Sequence, residues 1–176
     1  MKTSHQGIWL TIKRTAIVTA VLGALLVLAP GARAGGNVTF GIEAGYNTRY
    51  ETPVAGLAFT YRLKPHFRLG ADADIAFRHK DYDALLLDVD AHFPFASNAH
   101  VEFYPLVGAN FSAWSHHIVN ENDDDVTTRT SAFGLNFGGG MGIKVTSTLK
   151  LNIQARYTLV SQRSGARITA GIAYVF

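Results

Sequence analysis

Within the alternating segments of this sequence carboxylates recur two residues apart, Asp72 with Asp74 and Asp88 with Asp90. Glu43 and Glu102 each stand between uncharged neighbours, and the cations Lys144, Lys150, Arg156 and Arg167 follow later in the chain. Carboxylates held side by side repel, so they need cations facing them or must stay protonated. One use of such a set is a closed, ion-paired network, since buried charges are normally paired. A second is a narrow path for ions or protons along the acidic wall. A third is a metal site, in which His92 and His100 offer neutral imidazoles beside the carboxylates, at a spacing that matches no recognised motif. Covalent catalysis needs a nucleophile next to a base, and Ser112, Ser115, His116 and His117 lie close in sequence. The acidic run 120–125 has oxygen ligands for Ca²⁺ or Mg²⁺, but lacks the glycine and closing glutamate of an EF-hand loop. The paired network is the favoured reading, with no metal and no cofactor.

The charges fall on one face of alternating segments. Apolar residues occupy every second position over 38–47, 54–63, 67–78, 85–93, 101–113, 133–144, 149–159 and 167–176. That period of two predicts eight strands. In the third, Leu69, Ala71, Ala73 and Ile75 alternate with Arg68, Asp72 and Asp74. In the fourth, Leu85, Leu87, Val89 and Ala91 alternate with Leu86, Asp88, Asp90 and His92. Glu43 lies on the polar face of the first, and Glu102 and Tyr104 on that of the fifth. The polar faces of strands three to five are therefore acidic, and those of strands six to eight carry Lys144, Lys150, Arg156 and Arg167. A hairpin centred near Asp81 sets Asp72 opposite Asp90 and Asp74 opposite Asp88. Gly138, Gly140 and Gly142 leave space for long neighbours such as Arg156 and Gln154. By wall rather than by known contact, Arg156 is matched with Asp74.

The strands are roughly ten residues long, the length a tilted membrane strand needs. Polar connections that are longer on average (48–53, 79–83, 115–130 and 161–166) alternate with ones that are shorter on average (64–66, 94–99 and 146–148). Aromatics gather at the strand ends. Phe40, Tyr61, Phe67, Phe93, Phe103 and Phe176 mark one end, and Tyr46, Phe77, Phe111, Phe133 and Tyr157 the other. Such girdles belong to membrane barrels, whereas a soluble barrel or sandwich turns its apolar face inward.

The first 34 residues read as a secretory signal peptide rather than a membrane anchor. Lys2, Lys13 and Arg14 precede an apolar run over 15–29, Pro30-Gly31 breaks it, and Ala32 and Ala34 occupy the cleavage-defining positions. The run is short for a span of about 20 residues. The chain has no cysteine, so it is neither a lipoprotein nor a disulfide scaffold. Losing Lys2, Lys13, Arg14 and Arg33 lowers Lys+Arg from 16 to 12 against an Asp+Glu of 13. The basic balance of the full chain belongs to the signal, and no nucleic-acid partner follows from it.

The last stretch, Arg-Ile-Thr-Ala-Gly-Ile-Ala-Tyr-Val-Phe, puts Ile168, Ala170, Ile172, Tyr174 and Phe176 on one face. It resembles the closing strand of bacterial outer-membrane β-barrels, and residues 35–176 as a whole resemble the small OmpA- and OmpX-like barrels. The resemblance implies an all-β, eight-stranded, antiparallel up-and-down transmembrane barrel with both termini in the periplasm. It implies that Tyr174 and Phe176 form the signal read by the barrel-assembly machinery. It also implies a monomer in contact with outer-membrane lipid and lipopolysaccharide, with a structural or surface-interaction role. Two alternatives remain: a small-solute or ion pore, and a lipid A-modifying enzyme. The deacylase pattern, His-x-Ser on one strand with a Glu on a neighbour, is absent. Removing Phe176 is expected to lower the amount of barrel assembled in the membrane more than the stability of barrel already folded. Equal amounts of heat-modifiable barrel with and without Phe176 would contradict this.

Overall fold

The computed structural model describes residues 37–79, 82–96, 100–119, 125–161 and 164–176. The expected signal peptide, with Ala32 and Ala34, and the acidic run over 120–124 lie outside the described residues. The strands are β1 (Val38–Asn47), β2 (Thr52–Lys64), β3 (Phe67–His79), β4 (Tyr82–His92), β5 (Phe95–Ala96), β6 (Val101–Val119), β7 (Asp125–Lys144), β8 (Leu149–Val160) and β9 (Gly165–Val175). Eight of them are long, and β5 is a two-residue strand on the edge of β6, with Phe95 opposite Phe103.

Each long strand pairs antiparallel with the next, β4 pairing directly with β6, and β1 pairs with β9 to close the ring. Closure gives the eight long strands a partner on both sides over the span they share, which is what lets a sheet sit in hydrocarbon. The apolar alternation decides which face turns out. Ile42, Val89, Leu135 and Ile168 are exposed on the outer wall, while the buried residues are mostly polar or charged. This inverts the soluble pattern and matches a lipid-facing wall around a polar interior. The expected aromatic girdles face outward as ring pairs. Phe67 with Phe93 (5.5 Å) and Tyr174 with Phe176 (4.8 Å) lie at the end bearing the termini. Phe111 with Phe133 (5.1 Å) and Phe137 with Tyr157 (5.4 Å) lie on β6, β7 and β8.

Four expectations about connections change. The stretch 115–130 is not a single loop, because β6 and β7 continue as a ladder from Val101 opposite Ile143 to Val119 opposite Asp125. β4 leaves β6 at His116 and β8 leaves β7 at Gly134, so this hairpin outruns its neighbours. Its polar composition resembles a loop, but its valine and threonine residues favour extended backbone. Thr52 and Pro53 begin β2 instead of ending a loop, and Thr52 Oγ1 donates to the Phe77 carbonyl at 2.7 Å. Residues 94–99 are not wholly turn, since β5 lies within them. Finally, β3 and β4 pair with Asp72 opposite Asp88, Asp74 opposite Leu86, and Gly70 opposite Asp90. The expected register is off by two residues: His79 pairs with Tyr82, one residue away from a hairpin centred on Asp81, and the ladder shifts by one more before Ala76 meets Ala84. A slip of two keeps every side chain on its face, so the charged wall survives the error.

The interior is the core. His92 stacks on Tyr104 with centroids 4.8 Å apart, and the Arg68 guanidinium lies 4.1 Å from the centre of the Tyr104 ring. Two glycines make room for this stack. A Cβ on Gly70 would sit 2.7 Å from the His92 ring, and one on Gly140 would strike the Tyr104 phenol. Gly140→Val should therefore cost about 1–3 kcal/mol through overpacking. Combined with Tyr104→Ala, which empties the space, it should cost less than the sum of the two single changes. Unfolding titrations in detergent measure both, and strict additivity would place the valine elsewhere.

Candidate functional site

The ring order sets β3 diametrically across from β8 and β4 across from β9. The acids come from β3 and β4 and the guanidiniums from β8 and β9, so their pairs cross the lumen. Arg156 Nη2 pairs with Asp72, and its Nη1 lies 2.9 Å from Asp88 and 3.3 Å from Asp90. Arg167 Nη2 pairs with Asp88, and its Nη1 lies 3.2 Å from Asp74. These side chains are at most 4% exposed. Asp88 is the hub. Its Oδ2 meets both guanidiniums, and its Oδ1 accepts from the Asn110 and Asn136 amides at 2.7 Å each. Asn136 also donates to Asp90 at 3.0 Å and accepts from Thr158 Oγ1 at 2.8 Å. Glu43 is buried beside this group and accepts from Thr169 Oγ1 at 3.3 Å.

Nearer the termini lies a second layer. Glu102 accepts from Arg62 Nη2 at 2.9 Å and pairs with Arg68 Nη1 and Lys150 Nζ. Arg68 Nε donates to His92 Nδ1 at 3.0 Å, so the ring proton of a neutral His92 sits on Nε2. The Tyr104 hydroxyl donates to Asn152 Oδ1 at 2.8 Å and meets the Gln154 amide at 3.0 Å. Gly138 lies opposite Arg156, as the spacing implies, but the space at Gly140 goes to Tyr104, which comes from the other side of β7.

At the far end the lumen turns apolar. Tyr50, Val54, Ala76, Ala84 and Leu86 form a buried cluster with Trp114 against it. Arg49, in the connection between β1 and β2, folds over this cluster. Its guanidinium lies 5.1 Å from the Tyr50 ring centre and 4.8 Å from that of Trp114, and its Nη1 is 3.3 Å from Ser112 Oγ. Glu51, in the same connection, holds a φ of 52°, a left-handed conformation uncommon outside glycine.

Several sequence expectations move. Arg156 does not pair with Asp74; Arg167 does. The signs are less segregated than the polar faces imply, because Arg62 on β2 and Arg68 on β3 supply two of the three cations on Glu102. Lys144 is exposed and stands apart from the buried network. His100 is exposed while His92 is buried against Arg68, so the two do not form a metal pair. Among the described residues no three His, Asp or Glu side chains form a cation site. Ser115 and His116 are neighbours on an unbroken strand, so they point to opposite faces. Ser112 shares the His116 face, but four residues place it roughly 13 Å away along the strand. His116 stacks on Tyr82 at 4.1 Å, and the side chain of His117 lies outside the described residues. Sequence reasoning missed Arg49, Asn110 and Asn136 as lumen partners. Inward parity marks both asparagines as interior, but does not name what they touch.

The fold matches solved outer-membrane barrels at low identity. The N-terminal β-barrel domain of Pseudomonas aeruginosa OprF aligns with a TM-score of 0.62 and 15% identity, over 82% of this chain and 100% of that one. Neisserial surface protein A aligns at 0.65 and 16%, over 81% and 98%. Ail, the attachment invasion locus protein of Yersinia pestis, aligns at 0.59 and 15%, over 80% and 97%. No curated protein matches the sequence. The family model described as outer membrane protein beta-barrel domain matches residues 18–176. With that match over most of its length and a closed eight-stranded ring whose apolar wall faces outward, the chain belongs to the outer membrane protein beta-barrel domain family and is an integral protein of the bacterial outer membrane.

Proposed function

We propose that this protein is a closed barrel with a structural or surface-interaction role, its lumen plugged by charge, and that it is not an enzyme and needs no cofactor. The observation that carries this reading is the buried layer in which Arg156 and Arg167 span the lumen to Asp72, Asp74, Asp88 and Asp90. An ion crossing here would have to displace guanidiniums from carboxylates that are buried from solvent. The cavity between Glu43 and Lys150 is about 30 Å³, which admits a water or two by the usual measure but not a hydrated column. The separation of Ser115, Ser112 and His116 by strand geometry argues against the lipid A-modifying alternative.

Both termini face the periplasm in this reading, and the long β6–β7 hairpin faces the cell exterior. Short turns at one end and an overlong hairpin at the other are the asymmetry of outer-membrane barrels. The names of two structural neighbours, a surface protein and an attachment invasion locus protein, favour a surface role. The partners are outer-membrane lipid and lipopolysaccharide around a monomeric barrel. The assembly machinery is met through β9, where Tyr174 and Phe176 are exposed on the lipid face.

Two experiments test the plug. In planar bilayers the purified barrel should give no stable unitary steps, and regular steps in the unmodified protein would establish a pore instead. In folding titrations, Arg156→Ala and Asp88→Ala should each cost about 3–5 kcal/mol, because each strands buried charged partners. The double change should cost less than the sum. If water fills the lumen, each single change costs about 1 kcal/mol or less and the costs add.

A further inference from the structure

The two charged layers are unequal. The central one sets Arg156 and Arg167 against Asp72, Asp74, Asp88, Asp90 and Glu43, whereas the terminal one gathers Arg62, Arg68 and Lys150 around Glu102 alone. On the outward side of this cationic layer a cavity of about 430 Å³ opens at the barrel mouth beside Asn37 and Val175. Arg62, Arg68, Lys144 and Lys150 line it, with hydroxyls from Thr60 and Ser147, and no Asp or Glu is among its lining residues. Lys144 is exposed there, outside the Glu102 cluster, and Arg62 keeps a side-chain exposure of 32%. The mouth therefore presents Lys144 and part of Arg62 to the solvent, with Arg68 and Lys150 held on Glu102 behind them.

We propose that this vestibule binds a phosphoryl group. A single carboxylate ligand would cancel one charge and accept few of these donors. A phosphate carries a charge of about −1.5 to −2 and three strong acceptor oxygens. Guanidiniums pair with it in a planar fork, and lysines meet it as point charges. The volume lies within the range of small-ligand sites, about 300–1,000 Å³, so a phosphate and the group esterified to it both fit. The ligand chemistry has two sources. One is a small phosphorylated solute entering from the aqueous side. The other is a phospholipid headgroup, a phosphodiester that keeps one charge and two free oxygens and so engages fewer of the donors, because Tyr174, Phe176, Phe67 and Phe93 form an aromatic belt at this end and such belts sit at headgroup level. The proposal does not depend on whether the lumen conducts.

The test is calorimetric titration of the folded barrel with glycerol 3-phosphate at constant ionic strength. It is run in a maltoside detergent, which carries no phosphate. Saturable binding is expected. It should weaken at least tenfold in Arg62→Gln/Lys144→Gln, a pair of the more accessible cations chosen to leave Arg68 and Lys150 on Glu102. Heat-modifiable migration checks that the variant remains folded. Lys144→Gln alone, which touches no buried pair, should weaken binding by a smaller factor. Repeating the titration in nanodiscs separates the sources. Binding that persists in phosphatidylglycerol discs assigns the site to a solute, whereas binding kept in maltoside and lost in those discs assigns it to the headgroup. No saturable binding in maltoside, or equal binding by wild type and both variants, overturns the proposal.

Discussion

A carboxylate inside a narrow barrel has lost the water that would stabilise it, and Arg156 and Arg167 replace that water. Their side chains start from β8 and β9 and end on acids of β3 and β4, across the full width of the ring. The backbone ladder ties the strands around the circumference, and the ion pairs brace them across the diameter. The brace works because eight strands enclose a lumen that side chains can bridge. A wider barrel would leave the same residues solvated and their pairs weak. The rest of the interior serves this layer. Asn110 and Asn136 complete the shell of Asp88, and Thr158 fixes the orientation of Asn136.

The wall was more legible in the sequence than the lumen, for a physical reason. Lipid imposes a strict demand on every second residue, so eight stretches announce their faces by alternation, and residues such as Ile42 and Ile168 declare the outside. Where lipid ends, that demand ends too. The upper parts of β6 and β7 therefore look like loop in composition, although threonine and valine hold them extended. Inside, parity says only that a side chain points inward. Arginine reaches several residues along the axis, so Arg156 meets Asp72, Asp88 and Asp90 rather than Asp74. The register of β3 on β4 was hidden by a shift in the ladder between Ala76 and His79. Arg49 was hidden by its setting in a polar connection, where nothing in the sequence distinguishes a solvated arginine from one folded over Trp114.

The lumen has an order along its axis. At the far end an apolar cluster surrounds Tyr50 and carries Arg49 between aromatic rings. The middle holds more carboxylates than guanidiniums. The layer near the termini holds more cations than carboxylates. Neither charged layer is balanced alone, and they touch through the small cavity that Glu43, Arg68 and Lys150 share. The protein wall between them screens less than water would. Adjoining layers of opposite surplus attract one another along the lumen.

This order also makes the two mouths chemically different. Among the described residues, the lumen at the far end holds aromatic rings and a guanidinium already engaged with them. An anion approaching the other end meets Lys144 and Arg62 at an open cavity, with Arg68 and Lys150 behind. The attraction of the middle carboxylates for those buried cations is fixed within the fold, but Lys144 stands outside the buried pairs and Arg62 is only partly enclosed. The same excess of cations that offsets the acidic middle from within thus leaves a basic rim without. The brace across the lumen and the charge at its mouth are consequences of one distribution of arginines and lysines over β2, β3, β7, β8 and β9.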